Sequence, residues 1–188
     1  MKKIALYLGS FNPFHNGHLK VVQQALEDFK MDYVVIVPTM QNPFKKDSPL
    51  DIDKRKMIIK ESLIYFMHCE PFYYAPWCKM ILVPPIVIDT IEKSLVPPYY
   101  SYATLHALKN KYCNDEIFVL CGEDTIEDVQ NWMHGEQILK DYDFLICDRT
   151  EESSTEVRNR VKNGESIEGL VSDNVIKLIE YLYGNKSN

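Results

Sequence analysis

A chain of 188 residues is long enough for one domain with a substantial core and too short for two full ones. Hydrophobic residues make up 46% and charged residues 26%, and the net charge of −6 excludes an overall basic field that would draw in nucleic acid or an anionic membrane. Five scattered cysteines, Cys69, Cys78, Cys113, Cys121 and Cys147, contain no CxxC pair, which argues against a disulfide framework and a zinc ribbon and for a reduced, cytoplasmic chain.

In chain order, "MKKIALYLGSFNP" opens with a basic flank, but its apolar run is shorter than a signal segment and is cut by Gly9 and Pro13. Nothing approaches the length of a membrane span. The apolar runs Ile4 to Leu8, Tyr33 to Val37, Ile117 to Cys121 and Phe144 to Cys147 do not alternate with polar residues and predict strands buried on both faces. Helical spacing runs from His18 to Phe29, with Leu19, Val22, Ala25, Leu26 and Phe29 on one face. It recurs from Asp53 to Phe66, with Met57, Ile58, Ser62, Ile64 and Tyr65 facing less cleanly. Further helices are predicted at Tyr102 to Lys111, Thr125 to Met133, Ser154 to Lys162 and Ser172 to Tyr183. The stretch Met67 to Pro98 holds six of the ten prolines; it is either a packed irregular loop or contains an extra strand pair, Met80 to Val83 and Ile86 to Ile88.

Strands alternating with helices predict an α/β fold: a Rossmann-like, doubly wound parallel sheet with helices on both faces and right-handed crossovers. It forms one domain over 1–188, with an irregular insertion at about 67–98 and a helical C-terminal part at about 154–184. In such sheets a ligand sits beyond the carboxyl ends of the strands, which is where "GSFNPFHNGHL" falls. A strand ending at Gly9 lets backbone approach a ligand closely, and a helix beginning near Gly17 aims free amides and its positive end at the same space. His15 and His18 flank that start, where two imidazoles can bond phosphate oxygens and stabilise charge on an attacked phosphorus. The structural alternative is that one caps the helix and the other packs in the core. A zinc site is disfavoured, since no third ligand has suitable spacing.

"GSFNPFHNGHL" resembles the G-x-F-[DN]-P-x-H-x-G-H signature of nucleotidylyltransferases, specifically the bacterial nicotinate-nucleotide adenylyltransferase family. The HxGH element alone is shared with pantetheine-phosphate adenylyltransferases, cytidylyltransferases and, more loosely, class I aminoacyl-tRNA synthetases. "VPTMQNPFKK" resembles the segment after the second strand that carries a basic residue toward the phosphates, here Lys45; otherwise Lys45 and Lys46 are a solvated loop. "PYYSYATL" is similar to P-S-Y-T-x-D-T-L, so that Tyr100 and Ser101 match the residues that hold a pyridine carboxylate, while Ala103 stands where the family has Asp. "LCGEDTIEDVQNW" resembles G-x-D followed by Trp. Gly122 and Asp124 would meet nucleotide hydroxyls and Trp132 would stack on the pyridine ring, unless it is a core residue. "SSTEVR" resembles S-S-T-x-x-R, whose Ser153, Ser154, Thr155 and Arg158 would cradle the β and γ phosphates; Ser153 is also a good helix N-cap. Here "DRTEESSTEVR" passes almost directly from Arg149 to Ser153, where the family has a longer segment, so a tight turn is expected.

The resemblance implies direct displacement by a mononucleotide phosphate on the α-phosphorus of ATP, with a dinucleotide and pyrophosphate as products. Positioning and charge neutralisation carry such a reaction. His15, His18, Lys45 and Arg158 are the implied catalytic residues. Gly9, Ser10, Phe11, Gly17, Gly122, Asp124 and the S-S-T residues join them around ATP, with Asn12, Lys45, Tyr100, Ser101 and Trp132 around a pyridine mononucleotide. No dedicated protein metal site is expected, and Mg²⁺ would ride mainly on the phosphates. Other phosphate acceptors, such as nicotinamide mononucleotide or phosphopantetheine, and a non-catalytic nucleotide-binding role are the alternatives. The expected partners are small molecules, with no nucleic acid or membrane.

Overall fold

The computed structural model describes residues 1–41, 49–69, 85–148 and 150–184. Its centre is a five-stranded sheet, all parallel, built from β1 (Lys3–Gly9), β2 (Tyr33–Pro38), β3 (Ile86–Ile88), β4 (Glu116–Gly122) and β5 (Asp143–Cys147) in the order β3-β2-β1-β4-β5. The chain leaves β1 toward β2 and β3, then crosses back to β4 and β5. The carboxyl ends of β1 and β4 therefore flank the crevice where the strand order reverses.

Successive residues of a strand point to opposite faces. Ala5, Val34 and Ile36 enter a core under α1 (Asn16–Glu27), α2 (Ile52–Cys69), α6 (Ser154–Asn163) and α7 (Ile176–Gly184). Ile4, Leu6, Val35 and Val37 enter the opposite core, covered by α3 (Ser101–Lys111), α4 (Glu123–Val129) and α5 (Gly135–Asp141). Burial on both faces explains why β1 and β2 read as unbroken apolar runs. The edge strand β5 departs from that expectation: Ile146 is 47% exposed. No helix among the described residues is long and apolar enough to cross a membrane. Cys113, Cys121 and Cys147 are free.

Several elements differ from the sequence reading. α1 begins at Asn16, two residues before His18, because His15 acts as the N-cap. On α2 the buried face comprises Arg55, Ile58, Ile59, Ser62 and Leu63, whereas Met57 is 40% exposed. Ile86–Ile88 is a strand, but it extends the main sheet alongside Val34–Ile36; Met80 to Val83 lies outside the described residues. The predicted helix to Met133 stops at Val129, so Trp132 sits in the turn before α5, a helix the sequence pattern did not reveal. The cause lies at Gly135, where an added Cβ would come within 2.0 Å of the Val129 carbonyl oxygen. That close approach folds α5 back on α4 and leaves no room for a continuing helix. The last helix starts with a 3-10 turn, Asp173–Val175, before α7.

Candidate active site

The loop from Gly9 to His15 leaves the carboxyl end of β1 and is fixed by side chains from distant parts of the chain. Phe11 adopts a left-handed backbone, φ 44°, and its ring covers Gly9 so closely that a Cβ there would meet it at 2.9 Å. Glycine at position 9 is therefore required by packing. The Ser10 carbonyl accepts from the Arg55 guanidinium. The Asn12 carbonyl accepts from Arg158 Nη1 at 2.6 Å and the Pro13 carbonyl from Ser154 Oγ at 2.8 Å. Asn12 Oδ1 accepts from the Leu50 amide at 3.1 Å and the Tyr183 hydroxyl at 2.7 Å. The Asn12 oxygen is thus already occupied in holding α7 and the start of α2.

His15 and His18 lie side by side, ring centroids 3.6 Å apart. His15 is 6% exposed; its amide donates to His18 Nδ1 at 3.1 Å. His18 also stacks on Phe14, centroids 5.1 Å apart and planes 19° apart, with the edge of Phe11 at 5.0 Å. Because Nδ1 of His18 accepts, a neutral His18 carries its proton on Nε2. The structural alternative of the sequence reading is therefore met, with His15 as the N-cap residue and His18 packed among aromatics, and the two still form a pair.

The amides of the first turn are not all free for an anion, contrary to expectation. Asn16 N–H donates to the Leu170 carbonyl at 2.9 Å, its Nδ2 to the Gly169 carbonyl at 2.9 Å, and His18 N–H to the His15 carbonyl at 2.9 Å. Gly17 is needed for fit: a Cβ would lie 2.3 Å from Thr150 Oγ1.

Burial pushes the His15 imidazole down to about 4, opposed by the Glu152 carboxylate. Burial, and then the neighbouring His15, push His18 well below its usual value. The pair is therefore neutral at pH 7. An unfolded chain binds protons on these histidines at a higher pH than the folded one does, so the folded state is fully favoured above about 6.5 and loses stability as pH falls from there toward about 4. For His15 alone we expect a loss of roughly 2 kcal/mol between pH 7 and pH 5. The check is denaturant unfolding of the parent and of His15→Asn at both pH values. The variant should lack that part of the pH slope, and equal slopes would refute it.

The S-S-T-x-x-R segment meets this loop from the other side. Ser153 is the N-cap of α6, its Oγ accepting from the Glu156 amide at 3.2 Å. Arg158 Nη2 donates to Thr155 Oγ1 at 3.1 Å. Ser153 and Thr155 are exposed at this end of α6. Six residues separate β5 from α6, in agreement with the expected short connection.

Gly122 ends β4 beside β1 and caps α4, with exposed Asp124 in the first turn. Tyr100 is the N-cap of α3 and Ser101 its first residue. In a parallel sheet the N-termini of crossover helices lie at the carboxyl ends of the strands, so these residues share the crevice side with the histidines. Trp132 is half-buried against the second core, which makes it at least partly a packing residue. Lys45 lies outside the described residues.

Sequence reasoning missed Arg55 and Glu92, each 1% exposed. Arg55 Nε donates to the Leu50 carbonyl at 2.6 Å and Nη2 to the Met40 carbonyl at 3.5 Å. Glu92 accepts from the Met40 amide at 2.5 Å and from Thr104 Oγ1 at 2.7 Å. Met40 is thereby gripped at both backbone groups, next to Thr39, whose amide donates to the Gly9 carbonyl at 2.9 Å. The pair links α2, α3 and the ends of β1 and β2. Charged residues in amphipathic stretches read as solvated, so no local pattern could have exposed them.

Residues 6–177 match the cytidylyltransferase-like family model. A Fusobacterium nucleatum protein named probable nicotinate-nucleotide adenylyltransferase is 32% identical, over 96% of this chain and 98% of its own length. The Bacillus subtilis nicotinate-nucleotide adenylyltransferase is 26% identical, over 96% of each chain. A solved Vibrio parahaemolyticus structure superposes with a TM-score of 0.75 at 20% identity, covering 95% of this chain and 99% of its own. The Plasmodium falciparum nicotinic acid mononucleotide adenylyltransferase, solved in complex with NaAD, gives 0.69 at 18% identity, covering 97% and 98%. These structures share the fold.

Proposed function

Since the chain belongs to the cytidylyltransferase-like family, we propose that it is an adenylyltransferase joining ATP to nicotinate mononucleotide, with deamido-NAD and pyrophosphate as products. The observation that carries this reading is the joining of two motifs far apart in sequence: Ser154 and Arg158 bond the carbonyls of Pro13 and Asn12, immediately before the histidine pair. The identity with relatives bearing that name supports the choice of acceptor.

In this reading the mononucleotide phosphate attacks the α-phosphorus of ATP and pyrophosphate departs, so no side chain acts as nucleophile. His18 Nε2–H donates to an α-phosphate oxygen, and His15 adds a second contact beside it. Each is worth most where water is excluded and charge grows in the transition state. Arg158, Ser153, Thr155 and Lys45 would hold the departing phosphates, with Ser10 and Gly9 backbone alongside. Phe11 contributes by fixing the rings, since its side chain is 2% exposed. Gly122 and Asp124 would meet nucleotide hydroxyls, and Tyr100 and Ser101 the pyridine carboxylate.

Among the described residues no group of three His, Cys, Asp or Glu side chains could cage a metal ion. Hydroxyl and guanidinium donors such as those of Ser153, Thr155 and Arg158 suit phosphate oxygens, and Mg²⁺ would be carried on the phosphates with its waters. Such an ion would neutralise charge on the leaving pyrophosphate. A single domain working in a reducing cytoplasm belongs to the same proposal.

The test is pyrophosphate release from Mg²⁺-ATP with nicotinate mononucleotide and nicotinamide mononucleotide offered separately, the product being identified by mass spectrometry. A dinucleotide formed preferentially from the nicotinate acceptor is expected. Preference for the amide, or ATP binding without turnover, would overturn the assignment.

A further inference from the structure

Among the described residues, two buried side-chain polar atoms lack a hydrogen-bond partner: His15 Nδ1 and Glu152 Oε2. They belong to groups that act on each other electrostatically. The loop between β5 and α6 lies along the first turns of α1, with Thr150 against Gly17 and Glu152 against Lys20. A point one Cβ above Gly17 lies 3.1 Å from His15 Nδ1 and 2.3 Å from Thr150 Oγ1, so this loop rests against the His15 side of the first turn of α1. Glu152 follows two residues later, its side chain 11% exposed and its other oxygen bonded to Lys20 Nζ at 2.6 Å. A buried polar atom without a partner is costly, and two of complementary chemistry along the same stretch of α1 call for a reason.

We propose that Glu152 is a positioning residue for His15, its free oxygen accepting the second ring proton that His15 takes on when a nucleotide triphosphate enters. This rests on the adenylyltransferase reading and deepens it. Empty, the pair of histidines is neutral, and a neutral imidazole offers a phosphate one N–H and no charge. Phosphate oxygens beside the rings favour protonation, and an imidazolium needs an acceptor for the proton on its inner nitrogen. Glu152 Oε2 is the buried acceptor left over for it. The proton comes from solvent on binding, stays on the ring through the displacement, and returns to solvent when the products leave. None is transferred to the dinucleotide.

Of the titratable and charged groups near His15, His18 is in ring contact with it and Glu152 acts on it electrostatically, while Lys20 bonds Glu152, Tyr7 lies against the His18 ring and Arg158 bonds the Asn12 carbonyl. Burial pushes the Glu152 carboxyl up, but the Lys20 hydrogen bond, its own backbone amide and the charges of Lys20 and His15 bring it below the usual carboxylate value. It is therefore ionised at neutral pH and able to serve. Lys20, 60% exposed, competes for its charge.

The experiment is the pH dependence of kcat and KM for the parent, Glu152→Gln, Glu152→Asp and Lys20→Met, with the His15 ring titrated by NMR in the ligand-free proteins. Glu152→Gln keeps an acceptor but removes the charge. Its basic limb of kcat should move about one pH unit lower, a roughly tenfold loss above the limb, with KM for nicotinate mononucleotide unchanged. Glu152→Asp should keep the parental limb, and Lys20→Met should move it higher or leave it in place. A Glu152→Gln profile that superposes on the parent's, or a change confined to KM, overturns the proposal. If the parent forms no dinucleotide at all, the adenylyltransferase reading fails. The NMR titration still judges the pairing, since Glu152→Gln must then lower the His15 pKa, and an unchanged value rejects it.

Discussion

Replacement of His18 by alanine should lower kcat for dinucleotide formation by about 10²–10³-fold while the protein stays folded. The size follows from how the ring is held. Its Nδ1 is committed to the His15 amide at 3.1 Å, which leaves Nε2–H as the donor, and Phe14 and Phe11 pin the ring plane. A donor fixed before the reaction need not be reorganised as charge develops on the α-phosphate. Removing the ring also removes a cap on α1, worth about 1 kcal/mol, too little to unfold the domain. His18→Asn separates the two effects, because its side-chain oxygen can still accept from the His15 amide. It should regain the melting temperature without regaining the rate. Turnover within about threefold of the parent in His18→Ala would remove this residue from the chemistry.

Arg55→Met should destabilise the fold by about 3–5 kcal/mol, the largest loss we expect from any single substitution. The guanidinium serves the carbonyls of Ser10, Leu50 and Met40, and methionine leaves all three without that donor. It also strands Glu92, whose carboxyl burial already pushes up and whose bonds to Thr104 and Met40, with the charge of Arg55, hold down. The double variant Arg55→Met with Glu92→Gln should recover part of the loss, because no uncompensated charge then remains. Urea unfolding of the two single variants and the double measures the coupling. Strict additivity would show that the two charges do not depend on each other. A milder Arg55 variant that still folds should weaken turnover, since the Ser10 carbonyl belongs to the loop that carries the histidines.

What the sequence made legible followed from strong local constraints. Strands β1, β2 and β4 are buried on both faces, and unbroken apolar runs of that length have few other uses. The histidine pair and the Ser153–Arg158 segment were visible as motifs, and the fold joins them at one loop. Other features had no local signature. Ile86–Ile88 is a three-residue strand whose place comes only from pairing with β2. The α4–α5 corner depends on a single contact between Gly135 and the Val129 carbonyl. Asn12 matched a binding motif, yet its oxygen faces Leu50 and Tyr183, a pairing across 171 residues that no spacing rule contains. Arg55, Glu92 and Glu152 are charged residues whose meaning arises only once they are buried, and burial is a tertiary property.

The anchors of the loop after β1 also set the order in which the molecule can be completed. The carbonyls of Asn12 and Pro13 wait for donors 146 and 141 residues further along the chain. Closing contacts over such separations is slow compared with forming a helix or pairing neighbouring strands. During synthesis, then, both histidines leave the ribosome well before Ser154, yet the cradle around them stays unformed until α6 has emerged and docked. A chain arrested before Ser154 would carry the HxGH residues without the contacts that hold their loop.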